Sequence, residues 1–112
     1  MELFTRGDIV LFPFPYTDLS DKKLRPCLVI SEIMGEDIVL CQITSQKIPK
    51  DNYSVELKVH DTIEGELKID SYIRANMIFT ANKSQIIRKI CRITDEKYKA
   101  TTDAIIEIIN KS

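Results

Sequence analysis

Up to residue 93, the chain consists of short apolar runs separated by turn-forming residues. Nearly continuous apolar runs at 9–12, 27–31 and 38–44 are typical of strands buried on both faces. Residues 53–59 instead alternate apolar and polar side chains, as a half-buried strand does. Together with short runs across 71–93, this pattern predicts five to seven strands. The expected fold is mainly β, either a small antiparallel barrel or a twisted sheet.

Turn-forming residues indicate where the strands should end. The first strand should stop at Pro13 and Pro15, and residues 13–24 should form a long polar loop. Residues 34–37 and 64–66 each contain a glycine next to acidic residues and are predicted to be turns.

The hydrophobic period changes after residue 93 and predicts one C-terminal helix. Thr94 or Asp95 should cap its N-terminus. One stripe at helical spacing should pack on the sheet: Tyr98, Thr102, Ile105, Ile106 and Ile109. No linker or repeat interrupts the pattern, so residues 1–112 are expected to form a single domain.

Composition and charge limit the classes of function. The 112 residues are 44% hydrophobic and 29% charged, which is typical of an ordered globular chain. The net charge is −1, from 16 basic and 17 acidic residues, so non-specific coating of duplex DNA is not expected. A local anion-binding site formed by a few cationic side chains is compatible with this charge. With no long apolar run and no signal-peptide pattern at the N-terminus, we expect a cytoplasmic protein without membrane contact.

The inventory of catalytic and metal-binding residues is small. Cys27, Cys41 and Cys91 have no C-x-x-C spacing, and the chain has one histidine, so we expect buried reduced thiols and no zinc site. His60 is interpreted as exposed or hydrogen-bonded, with a general base as the alternative. No glycine-rich phosphate loop or other cofactor motif is present, and no cofactor is expected.

Two polar clusters adjoin buried strands. Arg25 lies between the polar loop and an apolar run, where a guanidinium is suited to grip a phosphate; a surface arginine is the alternative. Thr44, Ser45 and Gln46 follow another apolar run, and such residues also form ordinary turns. If the two strands pair in a hairpin, both clusters emerge at one rim.

Segments spread over almost the whole chain resemble the signature segments of the MazF/PemK toxins. In order, they are Arg-Gly-Asp-Ile-Val at 6–10, Leu-Arg-Pro-Cys-Leu-Val-Ile-Ser at 24–31, Cys-Gln-Ile-Thr-Ser-Gln at 41–46, Asp-Ser-Tyr-Ile-Arg at 70–74, Phe-Thr-Ala-Asn-Lys at 79–83 and Ile-Cys-Arg-Ile at 90–93. Each segment alone has little specificity, whereas their order and spacing together are specific.

The resemblance implies an SH3-like barrel that works as a homodimer and is a metal-independent endoribonuclease. Such toxins cut single-stranded RNA, often mRNA, at short sequences, leaving a 2′,3′-cyclic phosphate and a 5′-hydroxyl. An antitoxin inhibits them by placing a disordered tail in the RNA groove.

The resemblance also implies roles for individual residues. Arg25 and Thr44 match the family's catalytic residues. Arg74 matches a second arginine of some members, but Asn76 stands where those members have an acid. The loop from Tyr16 to Lys23 matches the substrate-gating loop. The candidates for RNA binding are Thr17, Ser20, Lys22, Lys23, Ser45, Gln46, Arg74 and Asn76.

Two other classes of function remain open. A non-catalytic toxin on the same barrel, similar to the gyrase poison CcdB, is disfavoured by the Arg-Pro-Cys-Leu-Val-Ile segment and by the absence of an aromatic residue in the last residues. A barrel that only binds nucleic acid or protein is weakly disfavoured by Arg25 and Thr44.

Overall fold

A computed structural model of the protein describes residues 3–15, 22–46, 51 and 53–111. Its elements are seven strands, two short 3₁₀ turns and one helix. The strands are β1 (Asp8–Pro15), β2 (Lys22–Val29), β3 (Asp37–Thr44), β4 (Ser54–Leu57), β5 (Thr62–Ile63), β6 (Ser71–Asn82) and β7 (Arg88–Ile93). The 3₁₀ turns are Val59–Asp61 and Lys83–Gln85, and the helix α1 is Asp95–Asn110.

The seven strands form one antiparallel sheet in the order β4-β6-β3-β2-β1-β7-β5. Its two edge strands, β4 and β5, are consecutive in the chain and are joined by the first 3₁₀ turn. So short a connection requires the sheet to curl until its edges approach each other. The expected mainly β fold with a C-terminal helix is therefore confirmed, in the form of a curled half-barrel.

Each face of the curled sheet carries a buried apolar cluster. One face, called the Phe12 face, contains a buried cluster that includes Val10, Phe12, Cys27, Val29, Ile38, Leu40 and Ala81. The opposite face, called the Ile9 face, contains Ile9, Leu28, Cys41, Ile43, Leu57, Ile73, Cys91 and Ile93. This explains why the sequence shows continuous apolar runs rather than alternation in β2 and β3.

β1 does not stop at Pro13, contrary to the sequence-based prediction. It continues through Pro15, and β2 already begins at Lys22, so residues 13–15 and 22–24 of the predicted loop lie in strands. The rest of the predicted loop lies outside the described residues. The Leu11 carbonyl accepts a hydrogen bond from the Ile87 amide, so the backbone groups of Leu11 point toward the β7 side. Pro13 and Pro15 follow at alternate positions of the strand, and their backbone groups point to the same side. Pairing with β7 ends at Leu11. The proline nitrogens therefore face an edge where no ladder hydrogen bond is lost.

Strand β4 is shorter than the predicted strand at 53–59. The Lys58 amide donates to the Asp61 carboxylate at 2.9 Å, and the Val59 amide donates to Asp70 at 2.9 Å. Both bonds divert the backbone from the sheet ladder into the 3₁₀ turn. The predicted turns at 34–37 and 64–66 are confirmed, with positive φ angles at Gly35 and Gly65.

The helix begins as predicted but buries a different stripe. Thr94 is the N-cap, and its hydroxyl accepts from the Lys97 amide. The buried residues are Thr101 and Ile105, whereas Ile106 and Ile109 of the predicted stripe are 53% and 67% exposed. The helix contacts β4 and β6, and Tyr98 packs against the Ile9 face, so α1 covers that face and leaves the Phe12 face uncovered.

A buried ion pair fixes the start of β1. The Asp8 side chain is 2% exposed and accepts from the Arg92 guanidinium at 2.7 Å and from the Thr5 amide at 3.0 Å. Lys89 lies 3.5 Å away. The turn at Arg6 and Gly7 that leads into β1 is thus tied to β7 by charge.

Candidate active site

Arg25 and Thr44 lie on neighbouring strands and face the same side of the sheet. β2 and β3 pair in a register that joins Cys27 to Gln42 and Leu28 to Cys41. Continued by two residues, this register sets Arg25 opposite Thr44. Directly opposite residues of an antiparallel pair have Cβ atoms about 5 Å apart and point to one face. The hairpin expected from the sequence therefore places both residues on one face, two positions beyond the last printed pair of the β2–β3 ladder, Cys27 and Gln42.

The Thr44 hydroxyl is oriented by the backbone that follows β3. Its oxygen accepts a hydrogen bond from the Gln46 amide at 3.2 Å. A hydroxyl that uses its oxygen as an acceptor keeps its proton for donation. The Thr44 hydroxyl proton is therefore available for donation on the face of the sheet that also carries Arg25.

The Arg25–Thr44 pair belongs to a longer cross-strand row. Phe12 of β1 pairs with Arg25, Thr44 pairs with Tyr72 of β6, and Tyr72 also pairs with Glu56 of β4. The row therefore crosses five strands on the Phe12 face. Tyr72 and Glu56 were not predicted from the sequence as site residues.

A second row runs parallel to the first on the same face. It contains Ser54 paired with Arg74, and Gln42 paired with Cys27. The β3–β6 ladder is irregular between Cys41 and Ile43, so Gln42 lies at this irregularity, where the Cys41 thiol donates to the Arg74 carbonyl at 3.0 Å. Arg74 faces the same side of the sheet as Tyr72, the partner of Thr44, and its RNA-binding role stays a prediction. Gln42 was not predicted from the sequence as a site residue.

The Arg74 guanidinium has unused hydrogen-bonding capacity. Among the described residues, its Nε is the buried side-chain nitrogen without a hydrogen-bond partner. The Asp51 carboxylate is nearby: its pKa is lowered first by the hydrogen bond from the Tyr53 amide and also, more weakly, by the Arg74 charge. A buried donor without a partner is costly, so a ligand that accepts from it is favoured.

Aromatic rings adjoin the cations of β2. Phe12, Phe14 and Phe79 make three edge-to-face pairs with centroids 5.3 to 5.6 Å apart. Lys23 pairs with Phe14, as Arg25 pairs with Phe12. Phe14 and Phe79 are only partly buried. Cations interleaved with accessible aromatic rings suit single-stranded nucleic acid, which offers both phosphates and bases.

The remaining predicted RNA-binding residues either lie outside the described part of the chain or are exposed near the site. Thr17 and Ser20 lie outside the described residues, as does the side chain of Lys22. Ser45 and Gln46 are exposed directly after β3, at the rim where Thr44 ends the strand. Asn76 is exposed in β6 within an irregular stretch that has no paired residue in the described ladder.

The cysteines and His60 stand apart from this chemistry, as predicted. All three thiols are free and buried. Burial raises the pKa of the Cys27 and Cys41 thiols to about 12 and that of Cys91 to about 11, so they stay protonated at neutral pH. The His60 side chain is 83% exposed, in the first 3₁₀ turn.

Two further properties concern the described part of the chain. There, no group of three or more His, Cys, Asp and Glu side chains is arranged to hold a metal ion. Nor does any helix of that part have the length and apolar character that a bilayer crossing requires.

Residues 5–109 match the model of a protein family described as the PemK-like, MazF-like toxins of type II toxin–antitoxin systems. The chain belongs to this family. The match includes both cross-strand rows of the Phe12 face. No curated protein matches the chain by sequence.

Solved structures of MazF proteins share the fold. An endoribonuclease in complex with its cognate antitoxin, from a Mycobacterial species, is 16% identical with a TM-score of 0.77, and the match covers 97% of each chain. A MazE–MazF structure from Deinococcus radiodurans is 15% identical with a TM-score of 0.79, covering 99% of this chain and 100% of that one. The Mycobacterium tuberculosis toxin MazF-mt6 is 14% identical with a TM-score of 0.68, covering 92% and 98%. At these identities the likeness establishes a MazF-like fold.

Proposed function

We propose that this MazF-like toxin is a metal-independent endoribonuclease that cleaves single-stranded RNA at short sequences. The observation that carries the proposal is the juxtaposition of Arg25 and Thr44 in one cross-strand row on the face that the helix leaves uncovered. The name of one structural relative described above supports it, because that protein is an endoribonuclease.

The proposed chemistry needs few protein groups. The RNA 2′-hydroxyl attacks its own 3′-phosphate, and the 5′-oxygen leaves, which gives a 2′,3′-cyclic phosphate and a 5′-hydroxyl. Arg25 neutralises the charge that develops on the non-bridging oxygens, and Thr44 donates one more hydrogen bond to them. Arg25 acts electrostatically rather than as an acid, because an arginine does not lose its proton in proteins.

The neighbouring groups complete an RNA-binding surface. Arg74, with its unpaired Nε, and Lys23 add positive charge beside the proposed cleavage position. Thr17, Ser20, Lys22, Ser45, Gln46 and Asn76 remain proposed RNA contacts of the rim and the adjoining loop. No step of this chemistry requires a metal or another cofactor.

We further propose that the toxin works as a homodimer in the cytoplasm and is inhibited by an antitoxin. Solved relatives include MazE–MazF complexes and an endoribonuclease bound to its cognate antitoxin, which supports an antitoxin partner. Met77 and Ile78 are exposed on β6, which gives apolar surface for a second copy to cover. Sedimentation at micromolar concentration tests the dimer, and a single species with the mass of one chain contradicts it.

The decisive experiment compares wild type with Arg25→Ala on a long unstructured RNA in excess EDTA, with the cleaved ends mapped. Arg88→Ala is a matched control, because Arg88 is an exposed arginine of β7, paired with Leu11 rather than with the site rows. We expect cleavage at one short motif by wild type and Arg88→Ala, and none by a folded Arg25→Ala.

Each other outcome has a clear meaning. Equal cleavage by wild type and Arg25→Ala contradicts the assigned site. Loss of cleavage in EDTA that returns with a divalent cation contradicts metal independence. No cleavage of varied RNAs by folded wild type contradicts the nuclease and favours a non-catalytic CcdB-like toxin or a binding module.

A further inference from the structure

Tyr72 occupies a distinctive position in the row that contains the proposed catalytic pair. It is the direct cross-strand partner of Thr44 and is one strand further from Arg25. Neighbouring strands lie about 4.8 Å apart, so the Tyr72 ring begins about 10 Å from the backbone of Arg25. This separation is comparable to the reach from a phosphate group to the base of the adjoining nucleotide.

The two aromatic side chains that flank the catalytic pair differ in accessibility. Phe12, beyond Arg25, is only 7% exposed and packs in the core. Tyr72, beyond Thr44, is half-buried on the face that α1 leaves uncovered. Of these two rings, Tyr72 is therefore the one that a ligand can reach.

Both signs of charge lie around Tyr72. Its partner Glu56 and the nearby Asp70 both pair with Lys58, at 3.3 and 3.7 Å. Tyr72 itself lies close enough to Lys58 to contribute to the raised pKa of that ammonium, after the larger effects of Glu56 and Asp70. Arg74 lies two residues along β6 on the same face, so two carboxylates and two cations surround the ring and no excess of positive charge draws a phosphate to it. Arg25 and Lys23 are basic residues of β2, towards the other end of the row.

We propose that Tyr72 stacks against the base of a nucleotide next to the scissile phosphate and thereby positions the RNA for cleavage. The phosphate lies at the cationic end of the row, and the neutral base extends across Thr44 onto the ring. The inference rests on the proposed nuclease function and assigns Tyr72 a positioning role, because the ring touches a base rather than the reacting atoms. Stacking tolerates any base, so Tyr72 sets register and affinity more than sequence preference.

A direct test uses the absence of tryptophan from the chain. Tyr72→Trp introduces a single indole whose fluorescence is quenched when a base stacks on it. The probe is a 2′-O-methylated single-stranded oligonucleotide containing the sequence that wild type cuts, because the methyl group blocks the attacking oxygen. The same sequence as a duplex is the comparison ligand, since its bases are already stacked.

Tyr53→Trp is the matched control. Tyr53 is an exposed tyrosine that borders a surface groove with Ala104 and Ile108 of the helix, which packs on the opposite face of the sheet from Tyr72. We expect the single strand to quench the indole at position 72 strongly, the duplex to leave it nearly unchanged, and neither ligand to affect the indole at position 53.

Cleavage kinetics provide a second, independent readout. Tyr72→Phe keeps the ring and should cleave with a KM within about threefold of wild type. Tyr72→Leu keeps apolar bulk without a π-face and should raise KM by about 10- to 100-fold, the usual effect of losing one stacked base. Its kcat at saturating RNA should fall less than its KM rises. A purely structural role predicts no such difference between phenylalanine and leucine.

The outcomes separate failure of this inference from failure of the nuclease proposal. If wild type cleaves but the indole at position 72 is not quenched by an oligonucleotide that the variant demonstrably binds, Tyr72 does not stack. An unchanged KM for folded Tyr72→Leu overturns the inference in the same way. If wild type neither cleaves nor binds RNA, the nuclease proposal fails and the role of Tyr72 fails with it.

Discussion

Replacing Thr44 by valine removes one hydroxyl from the proposed site with little change of shape. Both side chains are β-branched and suit a strand. Thr44 ends β3 and is partly exposed, so the methyl group of valine enters no crowded position in the core. The variant should therefore fold normally.

The expected effect on cleavage is set by one hydrogen bond to a charged oxygen. Such a bond contributes about 1.5–3 kcal/mol. At about 1.4 kcal/mol for each factor of ten, its loss slows cleavage by about 10- to 150-fold. Donors that stabilise a developing oxyanion in other enzymes contribute about 100-fold or more, so we expect the upper part of this range. The loss should appear in kcat, because the bond strengthens in the transition state.

The structural cost of the same substitution is small. Thr44 loses its hydrogen bond from the Gln46 amide, but that amide is exposed and water replaces the hydroxyl. The free energy of unfolding should fall by less than about 1 kcal/mol. Urea unfolding therefore separates a catalytic effect from a loss of folded protein.

The assay is single-turnover cleavage of a mapped RNA by wild type, Thr44→Val and Thr44→Ser. Serine restores the hydroxyl and should retain at least about a tenth of the wild-type rate. An unchanged rate for Thr44→Val refutes the assignment of Thr44 as a donor. Equal losses for valine and serine indicate that the threonine methyl group, and hence packing, is what matters.

Two predictions concern stability. Asp8→Asn should lower the free energy of unfolding by about 2–3 kcal/mol, because it leaves the Arg92 guanidinium without its buried carboxylate. The control Asp103→Asn removes an exposed helical ion pair and should lower the free energy of unfolding by less than about 0.5 kcal/mol. Equal urea midpoints for the two variants would contradict this prediction. Stability should also fall as pH rises from about 9 towards 11, because the unfolded chain releases thiol protons near the ordinary pKa of 9.0 while the folded chain holds them to about 11 or 12. A urea midpoint that stays constant from pH 8 to pH 10.5 would show that burial does not hold those protons.

The sequence was sufficient to predict the strands that bury apolar side chains on both faces. Residues 38–44 were predicted as a strand because β3 is apolar on both faces, and the capped helix was predicted from its change of period. The errors arose where tertiary context overrides local preference. Pro13 and Pro15 lie in a strand because β7 has already left that edge. β5 has only two residues, too few for a pattern to indicate.

The site was predictable only in part, for a related physical reason. Arg25 and Thr44 are polar residues at the ends of apolar runs, and that contrast is visible in a sequence. Tyr72, Glu56 and Gln42 lie within strands, where the side that each side chain faces depends on pairing register. Because both faces of this sheet bury apolar clusters, the hydrophobic pattern does not indicate which face that is.

The irregularity in β6 decides which of its residues face the site. Between the pairs Cys41–Ile78 and Ile43–Ile73, β3 advances by two residues while β6 advances by five. Three extra residues are an odd number, and an odd shift moves every following side chain to the opposite face. On one side of the irregularity the odd-numbered residue Phe79 shares the Phe12 face. On the other side the odd-numbered residue Ile73 belongs to the Ile9 core. The even-numbered residues Tyr72 and Arg74 consequently lie on the same face of the sheet as Thr44 and Gln42. The same bulge that interrupts the ladder therefore lets one strand contribute to the core at both ends and still present an aromatic ring and a guanidinium to the proposed site.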